Sequence, residues 1–345
     1  MKAVVANPAV TGCLEIGDVT APVADSNEAL VAVTSISLNR GELRRAEAAE
    51  AGMQIGWDLA GVVQSAARDG SGPPEGTRVV GFSRRMQGWA EQVALPTRDL
   101  AAIPDTVSDQ DAATLPVAGL TALYALERCE RILGNRVLIT GASGGVGYFA
   151  CQLGLLMGGH IVAHLRRPDY ADMVRGTGVQ EVVVSEHAAG IADQGRFRSI
   201  IDGVGGPLLA SLIAELEEGG RAILYGVSAG PTTPLAIRDL MFTGDGRVEG
   251  FYLYRESEIE YATRGLDRLL PGRSGRGGTG GRHGGSGRGV HPRHGTPEHM
   301  PRRPGGAGSP GRQGRPRPPL QRRRLVSPAG AGAPLHPGAV HRCGL

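Results

Sequence analysis

Residues 136–158 hold the densest chemistry in the sequence, reading R-V-L-I-T, then G-A-S-G-G-V-G, then Y-F-A-C-Q-L-G-L-L-M-G. Glycines at this density let a backbone turn tightly and come close to a charged group. Free N–H groups at the start of a following helix attract a pyrophosphate. The stretch Ala142, Ser143, Gly144, Gly145, Val146, Gly147 thus reads as the cofactor-binding turn of a dinucleotide fold, with alanine where the G-x-G-x-x-G pattern has its first glycine. The elements needed to hold such a turn are legible on either side. A β-branched run precedes it, Phe149, Leu153, Leu156 and Met157 follow at helical spacing, and a second apolar run, H-I-V-A-H, begins at His160. The competing reading is a structural αβ turn with incidental glycines.

The end of that second run bears on which dinucleotide is bound. An NAD site usually puts Asp or Glu there for the ribose hydroxyls, whereas a 2′-phosphate needs positive charge. Here the chain reads His164-Leu165-Arg166-Arg167-Pro168, with Asp169 only after the proline. The planar fork of Arg suits phosphate, so Arg166 and Arg167 predict NADPH. Their alternative is simple solvation at a strand end.

Charge is unevenly spread. Residues 271–345 contain fourteen Arg and one acid, Glu298, a net +13, so the total of +3 leaves −10 on residues 1–270. An acidic body gives no reason to expect a nucleic acid partner. Cys13, Cys129, Cys151 and Cys343 are scattered without C-x-x-C pairing, which predicts neither a disulfide framework nor a zinc cluster and suits a reducing cytoplasm. No apolar run is long enough to span a bilayer, and the N-terminus lacks the apolar core of a secretory signal.

In order, the first hundred residues read as strands near 2–6, 29–36, 57–64, 77–82 and 89–95, separated by Gly, Pro, Asp and Asn, the pattern of a compact β-barrel-like domain. Residues 105–127 change to helical period, with Ser108 or Asp109 as a cap and Pro116 near the start of a second helix. Beyond residue 158 strands at 181–185, 199–202, 221–225 and 247–253 alternate with helices at 170–175 and 207–217. That alternation predicts a doubly wound parallel sheet with ligands at the carboxyl ends of its strands.

Several segments in a fixed order then carry a family resemblance. They are S-L-N-R-G-E-L (37–43), G-W-D-L-A-G-V-V (56–63), E-G-T-R-V-V-G (75–81), G-W-A-E-Q-V (88–93), A-A-T-L-P-V-A-G-L-T-A-L-Y-A-L (112–126), the glycine turn, D-G-V-G-G-P-L-L (202–209) and G-G-R-A-I-L-Y-G (219–226). Over residues 1–270 the chain resembles the zinc-independent medium-chain dehydrogenases/reductases of the quinone oxidoreductase type, in which alanine at the first glycine position is usual. The resemblance implies an α/β fold: a GroES-like β-barrel catalytic domain (1–115), an NADP-binding Rossmann domain (116–254) with a doubly wound parallel sheet, and the start of a return helix to the first domain (255–270). The active site would lie in the cleft between the domains. It implies a role beside nicotinamide and substrate for Asn39, whose alternative is a turn-forming Asn, and a place near the carboxamide for Thr121, which could instead pack a helix. Tyr225, Gly226 and Val227 follow the fifth strand at the edge suited to cofactor contacts, and Gly203 would permit close approach to the nicotinamide ribose, with a plain loop as its alternative; the resemblance puts residues 247–253 at the edge of a homodimer.

In the zinc-dependent branch a Cys falls near Ser37-Leu38-Asn39 and a His-Glu pair where this chain has Gly56-Trp57-Asp58. Neither set is present, and His160, His164 and His187, the only histidines of residues 1–270, lie in the nucleotide half, so no metal is expected. The implied activity is NADPH-dependent hydride transfer to a small-molecule quinone or α,β-unsaturated carbonyl. The alternatives are an enoyl reductase of polyketide or fatty-acyl synthesis and a non-catalytic NADPH-binding or decayed paralogue. Tyr124, Tyr252 and Tyr254 are the candidate proton donors, with solvent as the other.

From Pro271 the sequence has no Ile, Phe, Trp, Tyr, Lys, Asp or Asn and is dominated by Gly, Pro and Arg. It predicts a disordered tail, and the loss of the family's final segments points to a frameshift in GC-rich coding sequence near residue 271.

Overall fold

The computed structural model describes residues 1–270; the tail and frameshift readings for 271–345 lie outside the described residues. Strands β1 (Lys2–Ala6) and β2 (Leu14–Asp18) form an antiparallel pair. Next come β3 (Glu28–Ser37), helix α1 (Arg40–Glu47), β4 (Asp58–Ser65), β5 (Arg78–Phe82), β6 (Gln92–Pro96) and β7 (Leu100–Ala102). Their five strands make an antiparallel sheet in the order β6-β3-β4-β5-β7. Val31, Leu59, Val79 and Leu95 pack together in one core, while Ala60, Val80 and Phe82, at the alternate positions, are buried in a second, so the middle of the sheet is covered on both faces.

Helix α2 (Asp109–Ala113) is capped by Ser108, whose hydroxyl accepts the Asp111 N–H, as expected. A π-helical turn over Leu115–Gly119, with Pro116 at its start, leads into α3 (Leu120–Glu127). Every residue of α3 from Leu120 to Leu126 is buried, because the helix is covered on several sides. Each fully buried leucine there contributes about 1.5–3 kcal/mol.

The rest alternates: β8 (Arg136–Thr140), α4 (Gly145–Leu156), β9 (His160–Leu165), α5 (Ala171–Arg175), β10 (Glu181–Val184), α6 (Ala189–Ala192), β11 (Phe197–Asp202), α7 (Gly206–Leu212), β12 (Leu216–Leu224), α8 (Ile237–Phe242) and β13 (Arg247–Gly250). The six strands are all parallel, in the order β10-β9-β8-β11-β12-β13. The order reverses between β8 and β11, which opens a crevice at their carboxyl ends. Helices α9 (Leu253–Ile259) and α10 (Ala262–Leu269) close the described chain. Gly265 of α10 packs on the Tyr124 ring of α3, so closely that a Cβ there would overlap the hydroxyl.

The α/β class and the parallel sheet are as expected, but several bounds differ. Strand β6 begins at Gln92 because Trp89 is held in the preceding loop, its indole N–H donating to Ser37 O at 3.1 Å. Strand β12 starts at Leu216, five residues early, after the helix over 207–217 stops at Leu212 and gives way to a 3-10 turn. The last strand ends at Gly250, where the chain turns into α9. Strands β2 and β7 and helix α1 were not expected.

Candidate active site

The crevice at the switch point is part of a cleft of about 1520 Å³. One wall is the carboxyl ends of β8, β9, β11 and β12; the other is α1, Trp57, Phe82 and Arg84, with Thr121 of α3 between them. Ser143, Gly144, Gly145 and Val146 line it. The tight turn is made by Gly141, at φ +64°, a backbone conformation that a β-carbon disfavours. Ala142 is fully buried and donates its N–H to His164 O at 2.9 Å, tying the turn to β9. Gly147 faces the strand rather than the cleft, and a Cβ there would stand 2.5 Å from Gly141 O and 2.8 Å from Ala142 Cα. Ala142 and Gly147 therefore shape the turn, while the four residues between them face the space. Helix α4 starts at Gly145 with no side-chain cap on its first N–H groups, which leaves the positive end of its dipole open to the cleft.

Arg166 and Arg167 line the same cleft beyond β9. Arg167 lies 4.0 Å from Asp169 and over the Tyr170 ring, whereas Arg166 makes no ion pair among the described residues. At the end of β11, Asp202 accepts the Thr140 hydroxyl at 2.5 Å and the Gly205 N–H at 2.7 Å, and burial raises its carboxyl above the usual range. Gly203 abuts Tyr225, and a Cβ on Gly226 would lie 2.7 Å from Gly203 O, so neither position has room for a side chain. Burial pushes the Tyr225 phenol up and keeps it protonated. Val227 O accepts a hydrogen bond from Arg44 of α1 at 3.2 Å, linking the two walls.

Asn39 stands on the opposite wall as the N-cap of α1. Its main-chain N–H donates to Glu42 Oε2 at 2.5 Å and its side-chain Nδ2 to Asp58 Oδ2 at 2.8 Å. Glu42 also takes the Trp57 N–H at 2.8 Å, and Asp58 the Val117 N–H at 3.0 Å. Both acids are fully buried. Burial pushes Glu42 up to about 7; burial and then the Glu42 charge push Asp58 well above the carboxylate range. Sequence reasoning gave neither acid a role, and placed Asp58 only at a position that lacks a zinc ligand. The signal for Glu42 was the N-x-x-E spacing of a capping box at Asn39.

Of the three candidate proton donors, two are committed elsewhere. Tyr254 accepts the Trp57 indole N–H at 2.5 Å and donates to Arg84 O at 3.0 Å. Tyr124 donates to Glu260 O and does not line the cleft. Tyr252 does line it, 66% exposed and stacked on Tyr254, and its hydroxyl makes no hydrogen bond among the described residues. Arg84, also missed from sequence, holds this wall together: it pairs with both oxygens of buried Asp99 at 3.0 Å and donates to Tyr254 O and Ser257 O. Among the described residues no group of three or more His, Cys, Asp or Glu is placed to hold a metal ion, and no helix is long and apolar enough to cross a membrane.

Comparison with known proteins bears on the family and the fold. Residues 145–268 match the zinc-binding dehydrogenase family model. The chloroplastic quinone-oxidoreductase homolog of Spinacia oleracea is 31% identical over 241 residues, 64% of this chain and 72% of the relative. The quinone oxidoreductase-like protein 2 of Bos taurus is 28% identical over 225 residues, 62% of this chain; the chain spans 64% of that relative, less than two thirds of its length. Among solved structures, the quinone oxidoreductase of Thermus thermophilus, described also in complex with NADPH, superposes with a TM-score of 0.66 at 27% identity, over 79% of this chain and 87% of that one. The chain belongs to the quinone-oxidoreductase-like medium-chain dehydrogenases/reductases.

Proposed function

We propose that this chain is an NADPH-dependent oxidoreductase that reduces a quinone or an α,β-unsaturated carbonyl without a metal ion. The observation that carries the reading is the uncapped start of α4 at the sheet's switch point, in one cleft with Arg166, which makes no ion pair among the described residues. That donor set suits a dinucleotide phosphate. The N–H groups of Gly145 and Val146 hold the pyrophosphate, since that of Gly144 is spent on Gly141 O, Arg166 and Arg167 hold the 2′-phosphate, and the bare surfaces of Gly203 and Gly226 admit the nicotinamide end. NADPH, when bound, supplies a hydride from the nicotinamide. Asn39 offers an amide N–H to the acceptor oxygen, and Thr121 borders the same space.

Metal independence is supported by the residues at the zinc-branch ligand positions. Trp57 donates its indole N–H to Tyr254, and both Asp58 oxygens already accept N–H groups. The acceptor must then be one whose own conjugation spreads the developing charge. Among the described residues β13 is an edge strand of the parallel sheet, which supports a homodimer paired along it.

The test is steady-state loss of NADPH absorbance by the full chain with a naphthoquinone and, separately, with a linear enone. Turnover with either acceptor, and a kcat/KM for NADH at least about 10-fold lower, is expected from one charge-assisted phosphate contact of roughly 1.5–3 kcal/mol. NADPH binding without oxidation of NADPH by either acceptor would leave a nucleotide-binding protein and overturn the reading.

A further inference from the structure

Two buried carboxylates on the Asn39 side of the cleft have no part in the function so far described. Glu42 of α1 and Asp58 at the start of β4 converge on Asn39, and the main chain of Val117, in the π-helical turn, holds Asp58 in turn. Glu42 holds Asn39 by its main-chain N–H, and Asp58 holds it by its side chain. No cation pairs with either acid among the described residues. An asparagine amide has nearly the same shape with its oxygen and nitrogen exchanged, so its orientation is decided by its partners. Asp58 accepts an N–H group with each of its oxygens here. Its Oδ1 is committed to the Val117 N–H at 3.0 Å, and Oδ2 faces Asn39 at 2.8 Å, so Asn39 must turn its nitrogen inward.

We propose that Asp58 is a positioning residue that acts through Asn39, fixing the amide so that one N–H is spent inward and the other is left for the oxygen of a bound quinone or enone. The inference rests on the function proposed above. The proton that burial favours on Asp58 is compatible with this orientation when carried on Oδ1, which leaves Oδ2 as the acceptor that the Asn39 Nδ2 contact at 2.8 Å requires. In Asp58→Asn a single carbonyl oxygen remains. It serves the Val117 main chain, the new NH₂ meets Asn39, and the Asn39 amide turns over to offer its oxygen. The donor in the cleft then moves by more than an ångström, and misplacement of about 1 Å can cost on the order of 100-fold in rate.

The chain has four asparagines, Asn7, Asn27, Asn39 and Asn135, which makes the orientation directly observable. In wild-type protein labelled with ¹⁵N-asparagine, the side-chain signal lost in Asn39→Ala is expected to show one proton shifted downfield and protected from exchange. In Asp58→Asn that protection is expected to vanish. Two rapidly exchanging Asn39 amide protons in the wild type would overturn the proposal even if Asp58→Asn failed to fold. Kinetically, Asp58→Asn and Asn39→Ala should each lower kcat about 10–100-fold while the Kd for NADPH, read by titration, stays within about twofold. The double variant should be no slower than Asn39→Ala alone, since a residue acting only through another adds nothing once that one is gone. Additive losses, or an NADPH affinity that falls in step with kcat, would contradict it. The spectrum does not depend on turnover, so a chain that reduces no acceptor fails the proposed function without deciding the orientation of Asn39.

Discussion

Replacing Glu42 by Gln should change how the stability of this protein depends on pH. Glu42 is fully buried beside Asp58, and burial pushes its carboxyl from the ordinary 4.5 up to about 7. Because the folded state holds this proton more tightly than the unfolded chain, the stabilisation is fully present below pH 4.5 and is lost as pH rises through about 7. That interval corresponds to about 3 kcal/mol at roughly 1.4 kcal/mol per pH unit. Gln cannot titrate. It also keeps only one acceptor for the two N–H groups of Asn39 and Trp57, so at pH 5 the variant should be less stable than wild type by about 1–3 kcal/mol. Between pH 5 and pH 8 the gap should narrow by most of that 3 kcal/mol, because the wild type weakens and the variant lacks this contribution. For a body of this size the narrowing is on the order of 5 °C in melting temperature. The assay is thermal unfolding of both full-length proteins across that pH range. Midpoints that run parallel would refute the claim that Glu42 is held protonated by its surroundings.

Other perturbations follow from the same contacts. Arg84→Ala strips buried Asp99, 1% exposed, of its cationic partner and frees α9 from the cleft wall. Removing one partner of a buried ion pair costs about 3–5 kcal/mol, readable as a lowered melting temperature. Gly147→Ala forces a Cβ to 2.5 Å from Gly141 O and should cost about 1–3 kcal/mol together with weaker NADPH binding by fluorescence titration. Arg166→Ala should weaken NADPH at least about 10-fold and leave NADH unchanged, also by titration.

Much of the scaffold could be read from local pattern. The β-branched run before the glycine turn, the helical spacing after it and the later alternation specify a parallel sheet, and Ser108 announced its own cap. Helix α1 escaped because Arg40-Gly-Glu-Leu-Arg-Arg-Ala-Glu shows little apolar periodicity; its start is set by Asn39 and Glu42 instead. The site was legible where it depends on a contiguous motif, as at Ser143 to Val146. It was not legible where distant segments meet. Arg84 and Tyr254 are 170 residues apart, and nothing in the spacing of either shows that the Tyr254 hydroxyl is already occupied. Glu42 and Asp58 read as ordinary polar positions, because their partners are distant: Glu42 takes the Trp57 N–H, and Asp58 that of Val117, 59 residues further on. Ala142 and Gly147 belong to the motif, yet the structure turns them into the strand and helix they join.

The most direct measurement is a thermal-unfolding scan of the full-length protein with saturating NADPH, with NADH and without nucleotide. At about 100 times its Kd, a ligand that binds only the folded state adds about 2.7 kcal/mol. The account predicts one cooperative transition raised by several degrees by NADPH and clearly less by the same concentration of NADH. A transition indifferent to both nucleotides would contradict the claim that this cleft is a dinucleotide site.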